Sequence, residues 1–246
     1  NTPVSFETMD CFSNSLRNEA DLFSSVGWEC INPATGPVFV EGAEPGDMLR
    51  VDILDIQVAE QGIVAAAPGF GEMPDSVTET TRVAPIRDGK AYFDWKTASG
   101  VIHRQLPIKP MIGVIGVAPA EEAVPTGCPD SHGGNMDCKR IVKGAALYLP
   151  VNAPGALFAA GDLHALMADG EVVVCGVEIA GLVTVSFKVI KGKSWPLPAL
   201  VEGEHFMTLA SHESLDAAAT QATRNMYSFL VSELAMDSTD AAMLLS

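Results

Sequence analysis

The sequence predicts a mainly β protein, a β-sandwich or barrel core carrying a small α/β C-terminal part. Two observations predict the β core. Short apolar runs alternate with polar residues at period two, and turn residues interrupt the chain every few positions. A third separates the C-terminal part: apolar residues at helical spacing occur convincingly only beyond Gly192. The division expected is 1–191 for the core and 192–246 for the C-terminal part.

Taken in order, "LRVDILDIQV" places Leu49, Val51 and Ile53 on one face, then Leu54, Ile56 and Val58 on the other. That slip of phase predicts a bulge, or burial on both sides. "AYFDWKT" sets Ala91, Phe93 and Trp95 against Tyr92, Asp94 and Lys96, the pattern of a half-buried strand. "GAALYLPV" and "EVVVCGVEIAG" are apolar runs short enough for interior strands, and "VTVSFKV" alternates again through Val183, Val185, Phe187 and Val189. Turns are expected at "NPATGP", "EPGD", "APGFGEMPD", "RDGK" and "ADGE". In the C-terminal part, Leu215, Ala218, Ala222, Met226, Phe229 and Leu230 form one helical stripe. Ser214 is placed to cap it, with Asp216 in the first turn, and a second helix is expected near Asp237–Ser238.

With 246 residues, 48% hydrophobic and 19% charged, the chain can bury a large core. A formal net charge of -16 argues against a nucleic-acid partner or an anionic membrane surface, and suits a bound metal cation or a neutral or cationic small ligand. No run approaches the roughly 20 apolar residues of a membrane span. Five cysteines at irregular spacing, with no CxxC, argue against a disulfide framework; reduced thiols in a cytoplasmic protein are the simpler expectation. The chain opens on Asn1 without an initiator Met, which leaves processing and export open.

The stretch "PDSHGGNMDC" poses the chemical question, because a glycine turn needs neither an imidazole nor a second carboxylate. His132 and Asp137 flank its glycines, while Asp162 and His164 stand together in "AAGDLHALMADGE". Both stretches read as loops bordering apolar strands, where a rigid scaffold can hold a site. Glu178 lies in "VVVCGVEIAG", where an extended strand puts it on the face of Val172, Val174 and Gly176. A carboxylate in such company must be paired, metal-bound or at a wet strand end. His132, Asp137, Asp162, His164 and Glu178 together have the composition of a divalent-metal site. Imidazole with carboxylate suits zinc, with manganese or iron as alternatives, and fits calcium less well. The competing readings are plain: a turn histidine at 132, a turn or cap at Asp162, a hairpin turn at "ADGE". Cys128 and Cys138 could be ligands or a nucleophile, or simply small apolar residues. Lys109 lies near two prolines and reads as exposed, and neither GxSxG nor SxxK occurs.

Six ordered stretches then give a resemblance. "FETMDCFSN", "NPATGPVFVEGAEPGD", "PIKPMIGVIGVAP", "HGGNMD", "GALFAAGDLHALMADGE" and "GVE" resemble the acetamidase/formamidase family. The resemblance implies hydrolysis of short aliphatic amides such as formamide and acetamide to ammonia and a carboxylate. It also implies a mainly β fold and a homo-oligomer. It further implies a strand before "NTPVSFE" and a closing strand after "AAMLLS". The site positions it carries over are Asp10, Glu44, Asp47, His132, Asn135, Asp137, Asp162, His164 and Glu178, although "EPGD" also reads as a structural turn. The family usually has Gly-Asp-Gly-Glu where this chain has Ala168 to Glu171.

The working expectation assigns a divalent metal, zinc first with calcium or manganese as alternatives, to His132, Asp137, Asp162 and His164. Glu178 carries proton transfer, and Asp10 and Asn135 orient the amide or stabilise an oxyanion. Two rival readings remain: a metal-independent amidase using Glu178 with Asp162 or a cysteine, and a non-catalytic protein binding a metal or small solute.

Overall fold

A computed structural model describes residues 2–246. Fifteen strands and two α-helices follow in order: β1 Val4–Thr8, β2 Ala34–Val38, β3 Met48–Val58, β4 Gln61–Ala66, β5 Thr80–Arg87, β6 Lys90–Thr97, β7 Gly100–Pro107 and β8 Met111–Gly116. They continue with β9 Gly133–Asn135, β10 Ala146–Pro150, β11 Phe158–His164, β12 Glu178–Ile179, β13 Gly181–Ile190, β14 Ala199–Glu202, β15 His205–Thr208, α1 Leu215–Glu233 and α2 Ser238–Leu244. Among the described residues all strand pairings are antiparallel.

The strands form two sheets. One has six strands in the order β1-β13-β3-β10-β14-β15. The other has nine, running β7-β6-β5-β4-β12-β11-β8-β9, with β2 paired to β11 as well. A single apolar core joins them: Leu49, Val51, Leu147, Val183 and Val185 of the first sheet belong to the same cluster as Ile112, Ile115, Phe158, Leu163 and Ile179 of the second. Each such fully buried side chain contributes about 1.5–3 kcal/mol relative to exposure. The mainly β class is therefore as the alternation predicts.

The phase slip in β3 is a bulge. Ile53 pairs with Val185 and Asp55 with Thr184, so Leu54 has no partner in β13 and is exposed. Both helices start where their capping residues stand. Ser214 accepts a hydrogen bond from Ala217 N, and Asp237 accepts from Thr239 N and Asp240 N. The stripe on α1 packs mainly through its later turns. Leu230 is buried and Phe229 stacks on Phe206 at 4.1 Å, whereas Leu215 is 84% exposed. Residues 192–246 also supply the hairpin β14–β15, which extends the six-stranded sheet beside β10.

Two readings of the chemistry-bearing stretches are corrected. "EVVVCGVEIAG" is not a strand over its length. Only Glu178 and Ile179 join the ladder, and the segment before them is irregular, with Val172 half exposed. The apolar content of this run comes from covering a cavity with Val173, Val174 and Cys175. Conversely, Asp162 and His164 lie in strand β11, not in a loop. The run Ala159–Gly161 ahead of them had no bulky residue to advertise a strand, because neighbouring backbones approach it closely. A Cβ on Gly161 would stand 3.0 Å from Ala34 Cα.

Candidate active site

Strand β11 carries the site. Its last residue, His164, lies opposite Glu178 of β12, and Asp162 two residues earlier shares its face. On the other edge, β8 pairs with β11 and then with β9, which delivers Asn135 opposite Val114. The chain then turns at Asp137, whose φ of 42° lies in the left-handed region. The two glycines of "HGGNMD" serve this hairpin: Gly133 and Gly134 have φ of 97° and 88°, and both lie hard against neighbouring backbone.

The result is a cluster of one imidazole and four carboxyl groups. His164 Nε2 lies 3.2 Å from Glu178 Oε1, 3.4 Å from Asp162 Oδ1, 3.6 Å from Glu171 Oε1 and 3.8 Å from Asp137 Oδ1. Two donor sets converge within it, each with ligand atoms within 4.8 Å of one another: Asp137 with His164 and Glu171, and Cys11 with Asp162 and Glu178. Two glycines make the approach possible. A Cβ on Gly113 would sit 2.5 Å from Asp162 Oδ2 and 2.6 Å from Asp137 Oδ1, and one on Gly176 would sit 2.8 Å from His164 Nδ1. The amide N of Gly176 donates to Glu171 Oε1 and Glu178 Oε1, both at 2.9 Å. That is one donor for two acids.

Burial and mutual repulsion shape the charges here. Burial, then the charges of Asp162 and Glu171, push the Glu178 carboxyl well above the usual range. Glu171 is pushed up to about 7 by burial and Asp137. Asp137 is pushed up to about 6 by burial and Asp162. Burial disfavours the charged form of His164, but Asp162, Asp137 and Glu171 outweigh it and hold the imidazole above its ordinary value. Burial pushes the Cys11 and Cys175 thiols well up, with Glu178 adding to both, so neither is a ready thiolate.

The polar inventory does not close within the protein. Asn135 Oδ1, Asp137 Oδ1, Asp162 Oδ1, Glu178 Oε2 and both ring nitrogens of His164 are buried without a hydrogen-bond partner. Leaving buried polar atoms unmatched costs about 1–3 kcal/mol each. A divalent cation fits that set, since it satisfies acidic oxygens and an imidazole nitrogen together. Beside the cluster opens a cavity of about 610 Å³, to which Asp162, Glu171, Glu178 and Asn135 contribute.

The remaining candidates separate. His132 belongs to neither convergent donor set. Its carbonyl accepts from Val117 N, and its side chain borders another cavity, of about 120 Å³, beside Val124 and Pro125. Asp10 is buried, but Oδ1 accepts from Phe12 N at 3.0 Å and Asn14 N at 2.7 Å, so the carboxylate ties the turn that carries Cys11 and Phe12. Glu44 and Asp47 form a surface turn in which Glu44 N donates to Asp47 Oδ2 at 2.8 Å and Lys191 pairs with Asp47. Glu171 and Cys11 were missed. "ADGE" looks like a turn, and the only signal in Glu171 is an acid heading a run that ends in another acid seven residues later. All five cysteines are free, as their spacing predicts.

Comparison with known proteins places this arrangement. An acetamidase from Bacillus halodurans has 49% sequence identity and a TM-score of 0.93, covering 99% of this chain and 81% of its own. A formamidase of Methylophilus methylotrophus is 27% identical over 246 residues, 75% of this chain and 58% of that protein. An acetamidase of Mycolicibacterium smegmatis is 28% identical over 216 residues, 64% of this chain and 53% of that protein. The chain thus spans a little over half the length of these curated relatives. The sequence model of one family matches residues 1–126 and 120–197, and by that match, nearly the whole β core, this chain belongs to the acetamidase/formamidase family.

Proposed function

We propose that the site hydrolyses short aliphatic amides, formamide and acetamide among them, to ammonia and a carboxylate. One observation carries this reading: four carboxyl groups and an imidazole, most with unsatisfied buried atoms, converge where Asp162, Glu171 and Glu178 line a cavity of about 610 Å³. The names of the acetamidase and formamidase relatives support it.

Asp137, His164 and Glu171 would hold a divalent cation, zinc by the expectation from donor type, with Asp162 beside them. When bound, such an ion supplies Lewis acidity, which acidifies water and polarises a carbonyl. The other groups act by position. Glu178 faces the cavity from β12 and takes the role of proton transfer between the water and the departing nitrogen. Asn135 presents an unpartnered Oδ1 suited to an amide N–H of the substrate. Asp10 acts through the turn it ties, which sets Cys11 and Phe12 in the cavity wall. A homo-oligomer and a cytoplasmic location stay part of the proposal, and no described helix is long and apolar enough to cross a membrane.

Elemental analysis of the purified protein, paired with ammonia release from formamide, acetamide and propionamide before and after chelation, tests the reading. Bound zinc and chelator-sensitive ammonia release are expected. Unchanged release after complete metal removal would leave a metal-independent amidase, and no release from any amide in zinc-supplemented protein would overturn the amidase reading itself.

A further inference from the structure

The cavity is far larger than its proposed small substrates need. Acetamide has four heavy atoms. At about 30 Å³ for each water-sized group, it fills about 120 Å³, against about 610 Å³ of space. A volume of that order holds a drug-sized ligand.

The excess space is apolar and aromatic. Besides Asp162, Glu171 and Glu178, the wall includes Phe12, Phe23, Trp28, Ile31 and Phe70. The ring centroids of Phe23 and Trp28 lie 5.6 Å apart, those of Phe23 and Phe70 5.8 Å, and those of Trp28 and Phe70 5.4 Å. Phe12 supports Phe23 edge-on at 6.0 Å. Phe23 is buried, while Trp28 is 64% and Phe70 39% exposed. These rings come from two segments far apart in sequence, the stretch 23–30 and the glycine-rich loop around Phe70, and both Trp28 and Phe70 pack on buried Phe23 while staying partly exposed at the cavity. The loop of Phe70 is fixed against the site cover, since Glu72 N donates to Val172 O at 2.9 Å. Aromatic rings arranged in this way favour an apolar or aromatic guest by edge-to-face contact.

We propose that Phe23, Trp28 and Phe70 form an acyl subsite, so that the site takes primary amides of arylalkyl acids, of the phenylacetamide type, in preference to acetamide. This rests on the amidase reading of the adjoining acidic cluster. The reaction is the same: the C–N bond breaks, a C–O bond forms from water, the water's protons pass to the nitrogen and the products are an arylalkyl carboxylate and ammonium. The ring packs against the surface that the three aromatics present to the cavity and leaves the carboxamide facing Asn135 and the acids.

Two measurements on the full chain test the subsite. In the first, kcat/KM is compared for phenylacetamide and acetamide. The ratio is expected to favour phenylacetamide by tenfold or more, to collapse about tenfold in Trp28→Ala and Phe70→Ala, and to survive in Trp28→Phe, which keeps a ring. Turnover of acetamide with no preference for phenylacetamide overturns the subsite, and so does an equal loss on both amides. In the second, phenylacetamide is titrated against tryptophan emission, with Trp28→Phe identifying the responding ring and Phe70→Ala weakening the response. If neither amide is hydrolysed, the amidase reading fails, and this titration decides the subsite separately. Saturable quenching from Trp28 supports it, and no response at millimolar phenylacetamide overturns it.

Discussion

His164 and Glu178 are register partners across β11 and β12, and their side chains meet at 3.2 Å from Nε2 to Oε1 with neither group exposed beyond 1%. Cross-strand pairs of this kind normally stabilise a sheet. Here the pair is surrounded by three further carboxyl groups, so the sheet holds an acidic cluster that only protons or a cation can neutralise. The ladder fixes the geometry before anything binds.

The two histidines of the sequence motifs should behave differently. His164→Ala is expected to remove bound metal and ammonia release together, because the imidazole is the single nitrogen donor in the convergent sets. His132→Ala is expected to keep the metal content of the parent protein, since His132 lines other cavities and belongs to neither convergent donor set. Elemental analysis of both variants checks this. Metal loss in His132→Ala with metal kept in His164→Ala would invert the assignment.

Much of this was legible in the sequence, for physical reasons. Period-two alternation marked β13, where Val183 and Val185 face the core, and the start of β6, where Ala91 and Phe93 join the core although Trp95 beyond them is 44% exposed; the slip at Leu54 marked a true bulge. Helix starts were legible because Ser214 and Asp237 cap them through local hydrogen bonds. The pairing of Asp162, His164 and Glu178 was legible because acids and imidazoles are conspicuous among apolar neighbours. What failed was long-range. Glu171 sits in a turn-like string, and only the fold brings it to 3.6 Å from His164. His132 carries a local signature similar to that of His164 but belongs to neither convergent donor set, while the glycine hairpin brings Asn135 to the cavity and Asp137 to 3.8 Å from His164.

Small glycine substitutions should damage the site more than the fold. Gly113→Ala places a methyl 2.5 Å from Asp162 Oδ2 and 2.6 Å from Asp137 Oδ1. The carboxylates must separate to admit it. Metal affinity is expected to fall tenfold to a hundredfold, the range seen when the supports of metal ligands are disturbed, while overpacking of this kind costs about 1–3 kcal/mol of stability. Metal titration beside thermal melting measures both, and unchanged affinity would count against the cation being held between these two acids.

With no cation bound, the protein should be more stable in mild acid than at neutral pH. Asp137 at about 6 and Glu171 at about 7 bind protons in the folded state that they release, near 4, in the unfolded chain. Folding therefore takes up protons between about pH 4 and 7, and stability falls as pH rises through that window by about 1.4 kcal/mol per unit for each extra proton. His164, held above its ordinary value, acts in the same sense. Melting of the chelated protein should move to higher temperature from pH 7.5 to pH 5.5, with a shallower slope in Glu171→Gln, which separates the cluster from the general relief of net charge. A flat profile, or one rising with pH, would show that the acids do not face one another as described.

Glu178→Gln addresses the assigned chemistry most directly. The substitution keeps the shape of a side chain that is 1% exposed and keeps an oxygen for the Gly176 amide, which donates to it at 2.9 Å. It removes the ability to take and return a proton. Positioned proton transfer contributes about 10²–10⁴-fold, so kcat for a small amide is expected to fall within that range while KM and metal content stay close to those of the parent. Steady-state ammonia release with elemental analysis on the same preparation distinguishes the outcomes. Loss of the metal along with activity would move Glu178 into the cation-binding set with Asp162 and Cys11. An unchanged kcat would remove it from proton transfer.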